Sequence, residues 1–368
     1  MKEHKINNTI LIAGGGSGGH LFPAIAIGDE LSSKGYNIKY IGSNYGIESK
    51  ILKRLDKEFY LLNIRGIQRS FSLINIYNNL LFPFRFLLSY LITKKILKNI
   101  KPIIVIGTGG YASGIPLLAS IRMNIKTLIH EQNSYPGLTT RNLSNKVNTV
   151  CITNFESKKY LDGNVVLTGM PLRNNLLKIS KDEACKKLGL STHKKTIFVL
   201  GGSQGSELFN KYFKDNYEFY INNDIQLIWQ CGYKNFNKYK NIVSHKNILI
   251  KDFFDNIDYA YCASDIVISR AGAVAINEIS FLKKTTILVP LSSSAGNHQL
   301  YNAKFYSDNN AAILIEEKEL KNNIIENSIL KLFKNKKESN SMGQNASELA
   351  IKDSKMKIIN QIDKLIKL

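Results

Sequence analysis

The chain has 368 residues, 44% of them hydrophobic, and 50 Lys and Arg against 29 Asp and Glu give a formal net charge of +21. That length exceeds one ordinary core and predicts two domains, while the apolar content excludes a disordered chain. Four cysteines (Cys151, Cys185, Cys231, Cys262) without a Cys-x-x-Cys pair exclude a zinc ribbon and a disulfide framework and fit reduced thiols.

In chain order, "MKEHKINNTI" lacks the apolar segment of a signal peptide. The first half then alternates apolar runs with helical patterns. Strands are expected at "TILIAG" from Thr9, "IKYIGS" from Ile38, "FYLLNI" from Phe59, "IIVIGTG" from Ile103, "TLIHEQ" from Thr127 and "TVCITN" from Thr149. These runs are apolar throughout rather than alternating, as strands buried on both faces are. Between Phe71 and Lys101 lies the most apolar stretch, flanked and punctuated by Arg65, Arg69, Arg85, Lys94, Lys95 and Lys98. Pro83 and Arg85 interrupt it and leave too short a run to span a bilayer, so residues 71–101 read as a crossover helix or as an amphipathic element lying on an anionic membrane face.

The rhythm restarts after "GMPLRNN". Second-half strands are expected at "TIFVLGG" from Thr196, "IQLIWQ" from Ile225, "NILIKDF" from Asn247, "DIVISRAG" from Asp265, "TTILVPL" from Thr285 and "AAILIE" from Ala311. The expectation is an α/β protein of two Rossmann-like domains facing a cleft. Its parts are residues 1–168, residues 169–345 and a closing helix in 346–368.

Three glycine-rich turns follow strands: "GGGSGGH" (Gly14 to His20), "GTGGYASG" (Gly107 to Gly114) and "GGSQGS" (Gly201 to Ser206). Each would open a helix, where missing side chains let backbone N–H groups approach an anion, although a tight turn also uses glycine. The first turn satisfies G-x-G-x-x-G, yet a dinucleotide site also needs a carboxylate ending the second strand. That strand ends on Ser43 and Asn44, with Glu48 too far along, so the loop reads as a diphosphate or acceptor cradle. It also lacks the Gly-Lys-Ser/Thr ending of a P-loop.

The remaining polar candidates cluster at strand ends. His20 stands at a helix start, where a neutral imidazole would serve as a base. "HEQN" (His130 to Asn133) closes a buried strand with four polar side chains, an unfavourable burial unless they serve a site. Glu278 follows "SRAG" on a helix, and His298 and Gln299 precede another. No Asp-x-Asp and no ligand-spaced cluster points to a metal. The positive charge attracts phosphates, but it is spread over the whole chain and argues for no nucleic-acid partner.

With these motifs in order ("GGGSGGH", "GTGGYASGIP", "HEQN", "GMPLR", "GGSQG", "SRAGAVAINE", "GNHQLYNA"), the chain resembles the MurG-type glycosyltransferases of bacterial peptidoglycan synthesis along nearly its whole length. The resemblance implies the GT-B architecture with the last helix returning to the first domain. It implies inverting transfer of N-acetylglucosamine from UDP-N-acetylglucosamine to undecaprenyl-pyrophosphoryl-N-acetylmuramoyl-pentapeptide, without a cofactor, at the cytoplasmic face of the inner membrane. Donor contacts would fall on Gly16, Ser17, Gly18, Asn133, Arg173, Ser203, Phe254, Ala273, Val274, Ala275, Ile276, Asn277, Glu278 and Gln299. Acceptor pyrophosphate would meet Gly18, Gly19, Gly109, Gly110 and Tyr111, with His20 as general base and residues 71–101 docking on an anionic membrane surface. Ala275 stands where a hydroxyl residue is common, and Thr140 where asparagine is frequent. The alternatives are a UDP-N-acetylglucosamine 2-epimerase of like architecture, a glycolipid-forming transferase with a diacylglycerol acceptor, and a nucleotide-binding module without catalysis.

Overall fold

The structure, a computed structural model, describes residues 8–66, 72–173, 176, 179–202, 205–241 and 245–367. The chain divides into unit 1, Met1–Asn174 with Ile351–Leu368, and unit 2, Asn175–Ala350.

Unit 1 is built on seven parallel strands: β1 (Thr9–Ala13), β2 (Asn37–Ser43), β3 (Phe59–Leu62), β4 (Ile104–Gly107), β5 (Lys126–Glu131), β6 (Thr149–Ile152) and β7 (Val165–Leu167). Their order is β3-β2-β1-β4-β5-β6-β7, with Ile10 of β1 opposite both Ile38 and Ile104. The continuous apolar runs follow from burial on both faces. Along β1, Ile10 and Ile12 enter one core and Leu11 and Ala13 the other. The first core is closed by Ile358, Ile359 and Ile362 of the last helix, Ser354–Lys367. The sequence pattern misses β7, whose three residues are half-buried or exposed at the sheet edge and carry little signal.

The segment after β7 belongs to unit 1, although the break was expected at 168/169. Gly169 adopts φ +85° against Ile351, where a Cβ would clash. Ser354 Oγ donates to the Met170 carbonyl at 2.5 Å, and His130 Nε2 donates to the Gly169 carbonyl at 2.9 Å. These bonds tie the segment down well past the last strand.

Helices α1 (Gly18–Ser33), α2 (Glu48–Arg54), α3 (Leu73–Leu80), α4 (Phe82–Ile100), α5 (Tyr111–Arg122) and α6 (Leu138–Leu143) complete most of unit 1. Pro83 stands at the start of α4, the helix position that tolerates a missing N–H, and divides the apolar stretch into two helices. Ser89, Thr93 and Leu97 of α4 face inward, while Phe84, Leu87, Leu88 and Leu91 are exposed, as are Ile74, Tyr77 and Leu80 of α3. Phe82, Phe86, Tyr90, Ile96 and Ile100 of α4 also pack inward against the core, so the helix is apolar on both faces. Among the described residues no helix is long and apolar enough to cross a membrane. Arg69 and Phe71 lie outside the described residues.

Unit 2 repeats the design with six parallel strands: β8 (Thr196–Leu200), β9 (Gln226–Gln230), β10 (Ile248–Lys251), β11 (Ile266–Ser269), β12 (Thr285–Leu288) and β13 (Ile313–Leu314). They run in the order β10-β9-β8-β11-β12-β13. Trp229, Phe209, Phe213 and Tyr220 fill one core, and Phe198, Phe254 and Tyr261 lie in the other.

Candidate functional site

In each sheet the winding reverses beside the first strand, between β1 and β4 and between β8 and β11. At such a reversal the loops leaving the strands' carboxyl ends part and open a ligand crevice. The glycine turns lie at both reversals.

In unit 1 the turn after β1 enters α1 through Gly16, whose φ of +82° and closeness to the Tyr111 ring leave no room for a side chain. Gly109 and Gly110, at φ +80° and +73°, run so close to the His20 imidazole that a Cβ at either would crowd it. Gly16, His20, Gly109, Gly110 and Tyr111 are therefore neighbours. Gly18 and Gly19 stand in the first turn of α1, where N–H groups have no intrahelical acceptor. Ser17 is exposed at the N-cap position. Gly16 differs: its N–H donates to the Glu48 carboxylate at 2.7 Å.

The tautomer of His20 follows from its partners. Nδ1 lies 3.0 Å from the Thr108 carbonyl and 3.0 Å from Gln132 Oε1. Both accept only, so Nδ1 carries the proton and Nε2 keeps its lone pair. The Gln132 amide is oriented in turn, because its Nε2 donates to the His130 carbonyl at 2.8 Å and to His130 Nδ1 at 3.0 Å. His130 in turn donates its Nε2–H to the Gly169 carbonyl. The sequence suggests that the four polar side chains of "HEQN" serve a site. The structure turns His130, Glu131 and Gln132 into the protein, each at most 1% exposed, and leaves Asn133 half-buried at the surface.

Glu131 is the anchor of the following loop. Its Oε1 accepts from the N–H groups of Gln132 and Asn133 and from Asn133 Nδ2, at 3.0–3.1 Å. Its Oε2 accepts from the Gly137 N–H at 3.1 Å and from the Thr140 hydroxyl at 2.5 Å. Thr140 thus has a defined use as a donor to Glu131. Arg173 is half-buried in unit 1.

Burial pushes His130 down to about 4, against opposing help from the Gly169 carbonyl and Glu131. A histidine held neutral in the fold but free to protonate when unfolded stabilises fully above pH 6.5. That contribution is lost as pH falls from 6.5 toward 4, and amounts to about 3 kcal/mol at the low end. Melting temperatures measured from pH 7 to 4 should decline less steeply for His130→Gln, whose amide replaces the Nε2 donor. Parallel curves for the two proteins would contradict this.

In unit 2, Ser206 caps the helix Glu207–Asp215, accepting from the Phe209 N–H at 3.4 Å. Ser203 lies outside the described residues. The helix Ala273–Phe281 follows β11 and presents first-turn N–H groups at Ala273, Val274 and Ala275. Val274 and Ala275 are half-buried, and Ala275 packs on the second core. Ile276 is buried in the core, Asn277 Nδ2 donates to the Ala273 carbonyl at 2.8 Å, and Glu278, 8% exposed, accepts from the Tyr261 hydroxyl at 3.2 Å. Phe254 buries its ring against Phe198, while its N–H meets Gln230 Oε1 at 3.3 Å. Gln299, half-buried in the helix His298–Asp308, accepts from the Leu291 N–H at 3.0 Å. Among the described residues no three His, Cys, Asp or Glu side chains group to hold a metal.

Arg270 was missed by the sequence reading. Its buried guanidinium joins the two loops of this reversal: it donates to Ser206 Oγ and to the Val289 carbonyl, and pairs with Glu317 at 2.7 Å. Glu317 in turn accepts from the Ser292 N–H at 3.0 Å and from its hydroxyl. The available signal was a charged side chain interrupting the strand exit "ISRAG".

Residues 10–152 match the glycosyltransferase family 28 N-terminal domain and residues 196–362 its C-terminal domain. Over 362 residues the chain is 36% identical to the UDP-N-acetylglucosamine--N-acetylmuramyl-(pentapeptide) pyrophosphoryl-undecaprenol N-acetylglucosamine transferase of Christiangramia forsetii, covering 97% of each chain. The crystal structure of Acinetobacter baumannii MurG superposes with a TM-score of 0.75 at 24% identity, over 97% of this chain and 99% of that one. The UDP-GlcNAc 2-epimerase of Neisseria meningitidis, solved with UDP-GlcNAc, reaches 0.65 at 14% identity over 97% and 99%. Both structural likenesses establish the two-domain GT-B fold.

Proposed function

The chain belongs to the MurG-type transferases of glycosyltransferase family 28, and from that premise we propose that it moves N-acetylglucosamine from UDP-N-acetylglucosamine to undecaprenyl-pyrophosphoryl-N-acetylmuramoyl-pentapeptide. The observation that carries this reading is identity of 36% along 97% of both chains to a relative so named. The likeness to epimerases is one of fold, at 14% identity.

In this reading unit 2 takes the donor. The first-turn N–H groups of Ala273, Val274 and Ala275 and the glycine turn after β8 face the diphosphate. The Phe254 backbone meets the uracil, and Glu278 and Gln299 meet sugar or ribose hydroxyls. Asn133 and Arg173 are the further donor contacts that the family likeness suggests, Arg173 as a charged partner of phosphate. The loops of unit 1 take the acceptor pyrophosphate on the N–H groups of Gly18 and Gly19 and on the turn Gly109–Tyr111. His20 Nε2 removes the proton of the acceptor hydroxyl as its oxygen bonds to C1 of the sugar. The bond from C1 to the β-phosphate oxygen breaks with its electron pair, UDP leaves, and the anomeric centre inverts. Release of UDP should therefore require the pyrophosphoryl-lipid acceptor. UDP release at the same rate without acceptor, or NADH binding in place of uridine nucleotides, would overturn the reading.

The apolar outward faces of α3 and α4, with Arg85, Lys94, Lys95 and Lys98 on or beside them, support peripheral docking on an anionic bilayer. A lipid-linked acceptor is met there, on the cytoplasmic face of the inner membrane. Leu87→Asp with Leu88→Asp should reduce cosedimentation with phosphatidylglycerol vesicles at least about tenfold while leaving UDP-N-acetylglucosamine binding intact. Undiminished sedimentation would remove these helices from the docking surface.

A further inference from the structure

We propose that Glu48 is a positioning residue of the first glycine turn, a buried carboxylate latch that sets the turn for its anionic ligand. Glu48 is the first residue of α2 and is fully buried. Its Oε2 accepts from the Gly16 N–H at 2.7 Å, and its Oε1 accepts from the Ser43 N–H at 2.7 Å. One side chain thereby joins the loop leaving β1 to the loop leaving β2. Ser43 is itself anchored, its hydroxyl donating to the Ile64 carbonyl at 2.6 Å.

The surrounding sequence makes room for that carboxylate. A Cβ at Gly15, Gly42 or Gly46 would collide with the Glu48 side chain, so one glycine in β2 and one in each of the two loops serve it. Part of the "GGG" in the first turn therefore accommodates a carboxylate from behind rather than a phosphate from in front. The chemistry is also directional. Glu48 draws the Gly16 N–H inward, and the following N–H groups, at Gly18 and Gly19 in the first turn of α1, are left without intrahelical acceptors. Gly16, held at φ +82° under the Tyr111 ring, is the pivot between the inward and free amides. A glutamine cannot substitute. It has one accepting oxygen, so its amide NH2 would face either the Gly16 or the Ser43 N–H donor-to-donor inside the protein.

This inference rests on the reading that the turn holds the acceptor's pyrophosphate, and the test separates the two. Glu48→Gln in the full chain should lower kcat/KM for the pyrophosphoryl-lipid acceptor about 10- to 100-fold, with KM for UDP-N-acetylglucosamine within about twofold of the parent. Melting should remain above the assay temperature. A rise in donor KM instead would support the latch and overturn the acceptor assignment. Unchanged kinetics in a folded Glu48→Gln protein, or a lowered melting temperature with unchanged kcat/KM, would overturn the latch. Should Glu48→Gln not fold, Glu48→Asp carries the same comparison, because the shorter carboxylate reaches only one of the two N–H groups. Glu48→Asp with parental acceptor kinetics would likewise overturn it.

Discussion

His20→Ala is expected to lower kcat for transfer by roughly 10²- to 10⁴-fold, the usual contribution of a positioned general base. Binding of UDP-N-acetylglucosamine should hardly change. The expectation rests on the side chain's surroundings. Nδ1 is committed to the Thr108 carbonyl and Gln132, so the ring presents Nε2 as an acceptor without having to choose a tautomer. Gly109 and Gly110 lie close to the ring, where a Cβ at either would crowd it. The core contribution is small, because the imidazole is only half-buried and sits at the start of α1. The melting temperature should accordingly fall by a few degrees at most, and steady-state kinetics at saturating acceptor would read the chemical step. A kcat within about threefold of the parent would assign the base elsewhere.

Glu131→Ala should have the largest effect on stability, about 3–5 kcal/mol, or roughly 6–20 °C in the transition of unit 1, because it breaks a buried hydrogen-bond network. Five donors converge on this carboxylate, and Glu131 is 1% exposed. Alanine would leave all five without that acceptor, and the buried Gln132 N–H and Thr140 hydroxyl would be stranded away from water, where an unsatisfied group is unfavourable. The loop from Gln132 to Thr140 would lose its anchor, and Asn133 its orientation. Glu131→Gln should fall between, since the amide fits the space but offers a donor where donors already converge. Calorimetry distinguishes the series. Equal melting temperatures for the parent and Glu131→Ala would show that the loop holds itself without the carboxylate.

Much of the fold was legible because parallel strands covered on both faces must be apolar at every position. "TILIA", "IVIG", "TIFVL" and "TTIL" report that condition directly. The glycine turns were equally visible, because backbone at positive φ and close approach to a ring leave glycine as the natural choice. What stayed hidden depends on contacts between residues far apart in the chain. Glu48 meets Gly16 across 32 residues, Gln132 meets His20 across 112, and Arg270 meets Ser206 across 64. Nothing local to "GIESK" marks its glutamate as the partner of a loop, and its neighbours look like an ordinary acidic helix start. The "HEQN" polarity was visible, but not its direction. Burial of polar side chains signals that they are needed, and here three of the four are needed to hold His20 and the loop rather than to touch a ligand.

Whether the sugar ends on the lipid is the most direct test. The protein would be incubated with UDP-N-acetylglucosamine labelled in the sugar and with undecaprenyl-pyrophosphoryl-N-acetylmuramoyl-pentapeptide in anionic vesicles, and the label followed into the lipid extract. The account predicts one N-acetylglucosamine added per lipid, in β linkage, with UDP released in equal amount. Label recovered as free or UDP-linked N-acetylmannosamine, with unlabelled lipid, would contradict it.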